Sequence, residues 1–141
     1  NLVEFSLVFP LLIILLFGII ESSWAFAQQN DIRHGAREGA RLAAVDHGDV
    51  QTIAEEICAR MNTIRPDQSP TVELTPISAS GLLGGQAEIS VSADVETLTG
   101  LLDWVFNAIA LESVIEFRLE QPTTGEAQWW AAGAGGTYVC P

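Results

Sequence analysis

The sequence contains no lysine, and its six basic residues, all of them arginines, are set against 18 acidic residues. With a net charge of −12, the chain has no basic stripe that could neutralise phosphates, which argues against a nucleic-acid-binding protein. The acidic excess is instead typical of a surface that faces water and keeps a protein soluble.

Patterns of known catalytic, metal and cofactor sites are also missing from the sequence. It has no nucleophile elbow, no phosphate-binding loop and no dinucleotide glycine pattern. His34 and His47 have no cysteine and no third histidine near them, and no aspartate-rich loop has the spacing of calcium ligands. The sequence therefore predicts neither an enzyme nor a bound metal or cofactor.

Cysteine is scarce, with only Cys58 and Cys140, the second of them one residue from the end of the sequence. In an exported protein, a disulfide between the two would hold the C-terminal tail on the domain. It would close a loop of about 80 residues, which the chain-entropy model values at roughly 4–5 kcal/mol. Two unpaired buried thiols are the alternative.

Apolar residues are abundant at the N-terminus, where a single carboxylate, Glu4, precedes an uncharged run from Phe5 to Ile20. As a helix this run spans roughly 24 Å. Residues 22–27 extend it to about the 30 Å of a bilayer core, with Glu21 as the only charge on the way. No positive charge precedes the run, which favours a removed leader or a shortened sequence over a simple anchor. Lipid or copies of the same helix have to cover such a rod.

The helical pattern of the rod continues to Val45. Pro10 lacks an amide hydrogen for the helix and predicts a bend, and Gly18 is a second position of low helix propensity. In the C-terminal half of the helix, one face carries mostly small residues, which let another backbone approach closely. We expect this face to dock on the rest of the protein. It consists of Ile32, Ala36, Gly39, Ala40 and Ala43.

The remaining chain predicts an α+β head. A second helix starts near Asp49 and extends to about residue 63. Three later segments have the alternating pattern of strands with one buried face: Val72–Leu74, Ala87–Val95 and Val114–Leu119. We therefore expect the second helix to pack on a roughly three-stranded antiparallel sheet. The predicted domains are an assembly and membrane helix, 1–46, and a globular head, 47–141.

Two aromatic segments are less regular. Leu98–Ala110 predicts a short helix or a hydrophobic flap around Trp104 and Phe106. The pair Trp129–Trp130 lies in a glycine-rich tail, where it covers a bare edge of the domain or forms a sticky tip for sugars or surfaces.

The N-terminal third resembles the TadE-like family of tight-adherence pilins, which are relatives of the type IV pilins. The matching segments are Val3–Leu12, Leu16–Glu21 and Gly35–Ala43. The resemblance implies a subunit that is made with a short leader, cut by a prepilin peptidase and assembled from the inner membrane into a pilus on the cell surface. Family members usually carry the N-terminal glutamate as the fifth mature residue, whereas here it is the fourth.

Several residues of the helix are candidates for a role in assembly. A carboxylate at the edge of an apolar helix is costly unless it is paired, so Glu4 is expected to bind the α-amino group of a neighbouring copy and set the stagger between subunits. The alternative places Glu4 in the lipid headgroup zone. Glu21 either meets an arginine or marks the membrane–water boundary. The complete candidate set is Glu4, Phe5, Pro10, Gly18, Glu21, Arg33, Arg37 and Arg41.

The three arginines follow each other at a spacing of four residues. They could bind anionic headgroups before assembly or acidic neighbours after it. Alternatively they form a solvated face with a local pair such as Glu38–Arg41, worth a few tenths of a kcal/mol.

Three functions remain open at this point. The chain could be the main subunit of a filament made of identical copies, or a minor pilin-like subunit that primes or caps a pilus. From a different class, it could be a membrane-anchored binding or sensor domain whose first helix simply spans the bilayer.

Overall fold

The structure, a computed structural model, describes residues 2–45, 50–64, 68–77, 84–106, 109–120 and 136–140. Its helices and strands are, in chain order, α1 Leu2–Val45, α2 Val50–Arg60, β1 Thr71–Pro76, β2 Gln86–Asp94, α3 Asp103–Phe106, β3 Ala110–Arg118 and β4 Gly136–Val139. This is the predicted α+β fold with a long N-terminal helix. The turn at His47–Asp49, the pair Trp129–Trp130 and the predicted domain boundary after residue 46 lie outside the described residues.

Helix α1 extends without interruption from Leu2 to Val45 and contains Pro10, as the helical pattern predicts. At a rise of about 1.5 Å per residue, its 44 residues extend roughly 66 Å. In the apolar part, the hydroxyls of Ser6 and Ser22 donate to backbone carbonyls of the preceding turn, so these polar groups are satisfied within the helix. The bend expected at Pro10 stays a prediction.

The small-residue face of α1 is the face that the head buries. Ile32, Ala36 and Ala43 are completely inaccessible to solvent. A Cβ atom at Gly39 would overlap the side chain of Ile57 on α2, so the absence of a side chain at this position allows the close approach of the two helices. The docking face that the sequence predicts is therefore confirmed.

The sheet has four antiparallel strands in the order β3-β2-β1-β4. The inward side chains of β1 and β2 are those that alternation predicts, including Val72, Leu74, Ile89 and Val91, all of them fully buried. Helix α1 packs on the β2–β3 half of the sheet, and α2 contacts β1 and β4. The head thus has two layers, with both helices on one face of the sheet.

The fourth strand corrects the expectation of about three strands. β4 comes from the glycine-rich tail and pairs with β1, with Thr71 opposite Val139 and Leu74 opposite Gly136. Its four residues are too few to show a clear alternation in the sequence. The third predicted strand also begins earlier than expected, at Ala110 instead of Val114.

The other face of the sheet is acidic and faces solvent. Its carboxylates are contributed by β1, β2 and β3: Glu73, Glu88, Asp94, Glu112 and Glu116. Glu88 and Glu116 are directly opposite each other in register, an arrangement of like charges that weakens pairing slightly. This face accounts for part of the negative charge that the sequence shows.

Candidate assembly site

The first half of α1 is a bare apolar surface. No residue from Leu2 to Ile20 is buried, and an 18-residue window of this helix has a mean hydropathy of 2.6 with 0% of the window buried. By length and composition, α1 is able to cross a membrane. The head leaves this surface uncovered, so lipid or another copy has to cover it.

Four of the candidate assembly residues lie on this surface: Glu4, Phe5, Pro10 and Gly18. The rings of Phe5 and Phe9 pack together one turn apart, with centroids 5.4 Å from each other. A Cβ atom at Gly18 would meet nothing within 4 Å in this chain, which leaves room there for another backbone. Their roles in assembly stay predictions.

Glu21 lies where the bare surface ends, and the head buries it. Its side chain is 1% exposed. Its two carboxylate oxygens accept hydrogen bonds from the backbone amides of Leu98 and Thr99, each at 2.8 Å, and from the Thr99 hydroxyl. Gly100, with φ of 75°, follows directly and lets the chain turn away. Because these partners all donate, they suit the ionised carboxylate.

These hydrogen bonds give Glu21 a role that the sequence did not suggest. An arginine partner was one expectation, but the carboxylate accepts its hydrogen bonds from two backbone amides and a threonine hydroxyl. The position of Glu21 at the end of the exposed rod agrees with the other expectation, the edge of the membrane-length segment. Its structural role is to hold a loop of the head against the rod.

Two buried glutamines form a second attachment of the head to α1. Gln28 is completely buried, and its Nε2 donates to the backbone carbonyl of Glu96 at 2.7 Å. Its Oε1 accepts from the Glu96 amide at 3.1 Å and from Gln68 Nε2 at 2.9 Å. Gln68 Nε2 also donates to the carbonyl of Asp94 at 2.8 Å. Sequence reasoning missed both glutamines, although Gln28 lies four residues before Ile32 on the small-residue face.

Further hydrogen bonds follow along α1. Gln29 Nε2 donates to the carbonyl of Glu112 on β3 at 3.0 Å. Asp31 accepts from both the amide and the hydroxyl of Thr63, at 2.6 and 2.7 Å. Polar contacts from residue 21 to residue 31 therefore fix the head in one orientation relative to the rod.

The arginines lie beyond these contacts on the exposed side of α1. Arg33, Arg37 and Arg41 are all exposed. Arg41 forms the local pair expected at this spacing, with Nη2 2.7 Å from Glu38 Oε1. This hydrogen-bonded pair lowers the pKa of the Glu38 carboxyl from its usual value, and Arg60, 3.9 Å from the same carboxylate, adds to the effect. Binding of Arg33 and Arg37 to headgroups or to neighbouring subunits stays a prediction.

Of the two states considered for the cysteines, the structure shows the disulfide. Cys58 on α2 is bonded to Cys140, with their Cα atoms 5.7 Å apart. The amide of Cys140 donates to the carbonyl of Pro70 at 2.9 Å, so the end of the chain is held by backbone pairing as well. Within the described ranges, no group of three or more histidine, cysteine, aspartate or glutamate side chains is arranged to hold a metal.

The family model of TadE-like proteins matches residues 2–41. The N-terminal helix is TadE-like. This match confirms the resemblance seen in the residues. A search of curated proteins and a search of solved structures gave no match.

The TadE-like segment covers the bare rod, the attachment residues and most of the docking face, and it ends within α1. It supports a pilin-like protein associated with tight-adherence pili, a structural class and not an enzymatic one. An exposed apolar helix of this length agrees with membrane anchoring. The structure also explains the TadE-like pattern at residues 35–41, where the glycines and alanines face the head while Glu38 and Arg41 pair on the outside.

Proposed function

We propose that this protein is a structural subunit of a tight-adherence pilus filament, held in the inner membrane by α1 before assembly and packed through α1 against identical subunits afterwards. The observation that carries the proposal is the uncovered rod, TadE-like in sequence, attached rigidly to a water-exposed acidic head. The partners are copies of the same chain, the pilus assembly machinery and the prepilin peptidase that removes the leader. The assembled filament lies outside the cell.

The size of the exposed surface favours burial between subunits. Thirteen large hydrophobic side chains between Leu2 and Ile20 are exposed. Full burial of one such side chain contributes about 1.5–3 kcal/mol, so packing of the rods is the main favourable contribution to a filament, against the cost of ordering the subunits. A rod that meets the next rod on a different face gives a contact that does not close, as a helical filament requires.

In this filament, Glu4 sets the longitudinal stagger. Its carboxylate binds the α-amino group of an adjacent subunit, and burial of this pair among apolar side chains makes the wrong stagger costly. The contact orders the subunits without contributing to the fold of the head, because Glu4 lies on the bare part of α1.

The Glu4→Ala variant tests this function. A subunit that lacks the carboxylate leaves a partner charge buried, at a cost of about 3–5 kcal/mol per contact, and we expect filament yield to fall below about a tenth of the wild-type yield. Electron microscopy and sedimentation of the assembled fraction measure the yield, and circular dichroism checks that the head is folded. Glu55→Ala, at an exposed glutamate on α2, is the matched control. A normal yield of filaments from Glu4→Ala would contradict the proposed role of Glu4.

A minor subunit that primes or caps the pilus is the second candidate, because the resemblance to TadE-like proteins implies subunits of this kind. Micrographs of cells that lack the protein distinguish the two functions. Loss of the main subunit removes the mass of the fibre, whereas loss of a minor subunit leaves fewer fibres of unchanged width. A purified protein that stays a lipid-bound monomer under all conditions would favour an anchored binding domain instead.

A further inference from the structure

A loop of the head exposes an unusual amount of apolar surface. This loop, Leu98–Phe106, which we call the Trp104 loop, contains α3. Trp104 is 81% exposed, Leu101 58% and Leu98 56%, and Val105 is exposed as well. Four large hydrophobic side chains within nine residues form a patch that a water-soluble surface does not usually carry.

The Trp104 loop lies at the end of the membrane-length rod. Its first residues are bound to Glu21 through the amides of Leu98 and Thr99. At its other end, Phe106 lines an apolar groove of about 290 Å³ together with Ser22, Ala25 and Phe26 of α1. The loop is therefore alongside residues 21–26 of the rod, which directly follow the exposed Ile19 and Ile20 in the sequence.

The length of the bare rod determines where the Trp104 loop lies relative to the membrane. Residues 2–20 extend roughly 28 Å as a helix, close to the ~30 Å of a hydrocarbon core. When they span the core, the Trp104 loop is level with the headgroups. Tryptophan is enriched at this depth because its ring is apolar and its N–H can still reach water or a headgroup.

We propose that the Trp104 loop docks on the headgroup layer of the membrane beside its own rod, before assembly. The inference rests on the proposed membrane-anchored state of α1 and goes beyond it, since it makes the head a second point of contact with lipid. Ile19 and Ile20 are exposed directly before Glu21, whose carboxylate holds the start of the loop, so a membrane that covers the end of the rod also reaches the loop. Glu21 and Gln28 keep the loop at this level, because Glu21 accepts hydrogen bonds from the first two residues of the loop and Gln28 donates to Glu96 just before it.

The charges of the loop predict which lipids bind. It contains no basic residue, and its acidic residue, Asp103, accepts a hydrogen bond from the Thr97 hydroxyl. Docking therefore depends on apolar side chains instead of attraction to anionic headgroups, and zwitterionic phosphatidylcholine is a sufficient partner.

Depth-dependent fluorescence quenching tests the inference on the full chain. Trp104 becomes the only tryptophan through Trp24→Phe, Trp129→Phe and Trp130→Phe. This protein is reconstituted at low density in phosphatidylcholine vesicles that contain lipids brominated near the headgroup. We expect emission at shorter wavelength, protection from aqueous acrylamide, and quenching of about half of the fluorescence by the brominated lipid.

Two reference variants contain their single tryptophan at another position. Each carries the three substitutions above and also Trp104→Phe. Phe9→Trp reports insertion of the rod. Ile77→Trp is the matched control in the head, because Ile77 is half exposed and lies beyond β1, at the end of the sheet near the C-terminal end of α1. We expect lipids brominated deep in their acyl chains to quench the Phe9→Trp variant, since residue 9 lies near the middle of the hydrocarbon core when residues 2–20 span it. Neither brominated lipid should quench the Ile77→Trp variant. In a chain with all its other tryptophans, Trp104→Phe should reduce the headgroup-quenched fraction, and Trp24 on α1 contributes the quenching that remains.

The possible results distinguish docking of the loop from insertion of the rod. A Trp104 signal as water-exposed as that of the Ile77→Trp variant, while the Phe9→Trp variant is quenched, would overturn loop docking and leave membrane anchoring intact. Absence of quenching in the Phe9→Trp variant as well would overturn both. Protection of Trp104 that occurs only at high protein density, without lipid quenching, would show that a second copy covers the loop and would also overturn the inference.

Discussion

Glu21 connects the two parts of the molecule at the residue scale. A carboxylate next to a membrane-length apolar run is costly unless several donors satisfy it. Here the amides of Leu98 and Thr99 do so, together with the Thr99 hydroxyl. The sequence shows that such a charge needs partners, but backbone amides almost 80 residues further along the chain carry no side-chain pattern that would identify them.

Glu21→Ala should detach the beginning of the Trp104 loop. Removal of the carboxylate leaves two partly buried amides without their acceptor, and we expect the free energy of unfolding to fall by about 1–3 kcal/mol. Chemical denaturation in mild detergent measures the loss. Hydrogen exchange at the amides of Leu98 and Thr99 should become faster, while exchange in β2 stays slow.

Thr99→Val is the matched control for this change. It removes the hydroxyl donor and keeps both amide bonds to Glu21, so the loss should be smaller, about 1 kcal/mol. Equal exchange rates at Leu98 in the wild type and in Glu21→Ala would show that the carboxylate does not hold the loop.

Helices and strands differ in how well the sequence predicts them. The bounds of α1 were predicted closely because its apolar and small-residue periodicities extend over many turns. β1 and β2 were predicted from the alternation of apolar and polar residues, as at Val72 and Leu74. β4 was missed because its position depends on pairing with the distant β1 and on the bond from Cys58 to Cys140, neither of which has a local pattern.

Two glycines of α1 have different roles that the sequence alone does not distinguish. Gly18 and Gly39 look alike as helical residues of low propensity. In the structure, a side chain at Gly39 would overlap Ile57, whereas one at Gly18 would contact nothing within 4 Å. Only the packing of the head distinguishes them.

Gly39→Ala should therefore destabilise the protein and Gly18→Ala should not. The added methyl group at Gly39 forces α1 and Ile57 apart, with an expected loss of about 1–3 kcal/mol. At Gly18 the same change should be neutral or should stabilise the helix by up to about 1 kcal/mol. Thermal unfolding of both variants in the same detergent measures the difference. A loss at Gly18 as large as that at Gly39 would contradict this account of helix packing.

At the scale of the whole molecule, the two halves of α1 lie in different environments. All of its buried residues are found from Glu21 onward, so the head uses the C-terminal half of the helix as part of its core. The N-terminal half provides only exposed apolar surface. The sequence showed the rod and the docking face, but where one ends and the other begins depends on the contacts of Glu21 and Gln28.

A chain that begins at Glu21 should fold as a water-soluble monomer. It keeps every buried residue of α1 and loses thirteen exposed hydrophobic side chains. We expect its free energy of unfolding to be within about 1 kcal/mol of that of the full chain in the same mild detergent. Size-exclusion chromatography and chemical denaturation provide the two measurements.

A chain that begins at Arg33 is the control, because it also lacks Glu21, Gln28 and Ile32, which are buried. This shorter chain should unfold or aggregate. If the chain that begins at Glu21 behaved in the same way, the exposed part of the rod would be needed for the fold of the head.

The bond between Cys58 and Cys140 has a mechanical consequence. The two cysteines are 82 residues apart in sequence. When force is applied to the protein between α1 and Cys140, the covalent link carries it, so the enclosed strands are not loaded. At ~3.4 Å per residue, the link prevents about 280 Å of chain from being extended. A molecule stretched in this way can lengthen only by distorting the segments outside this loop.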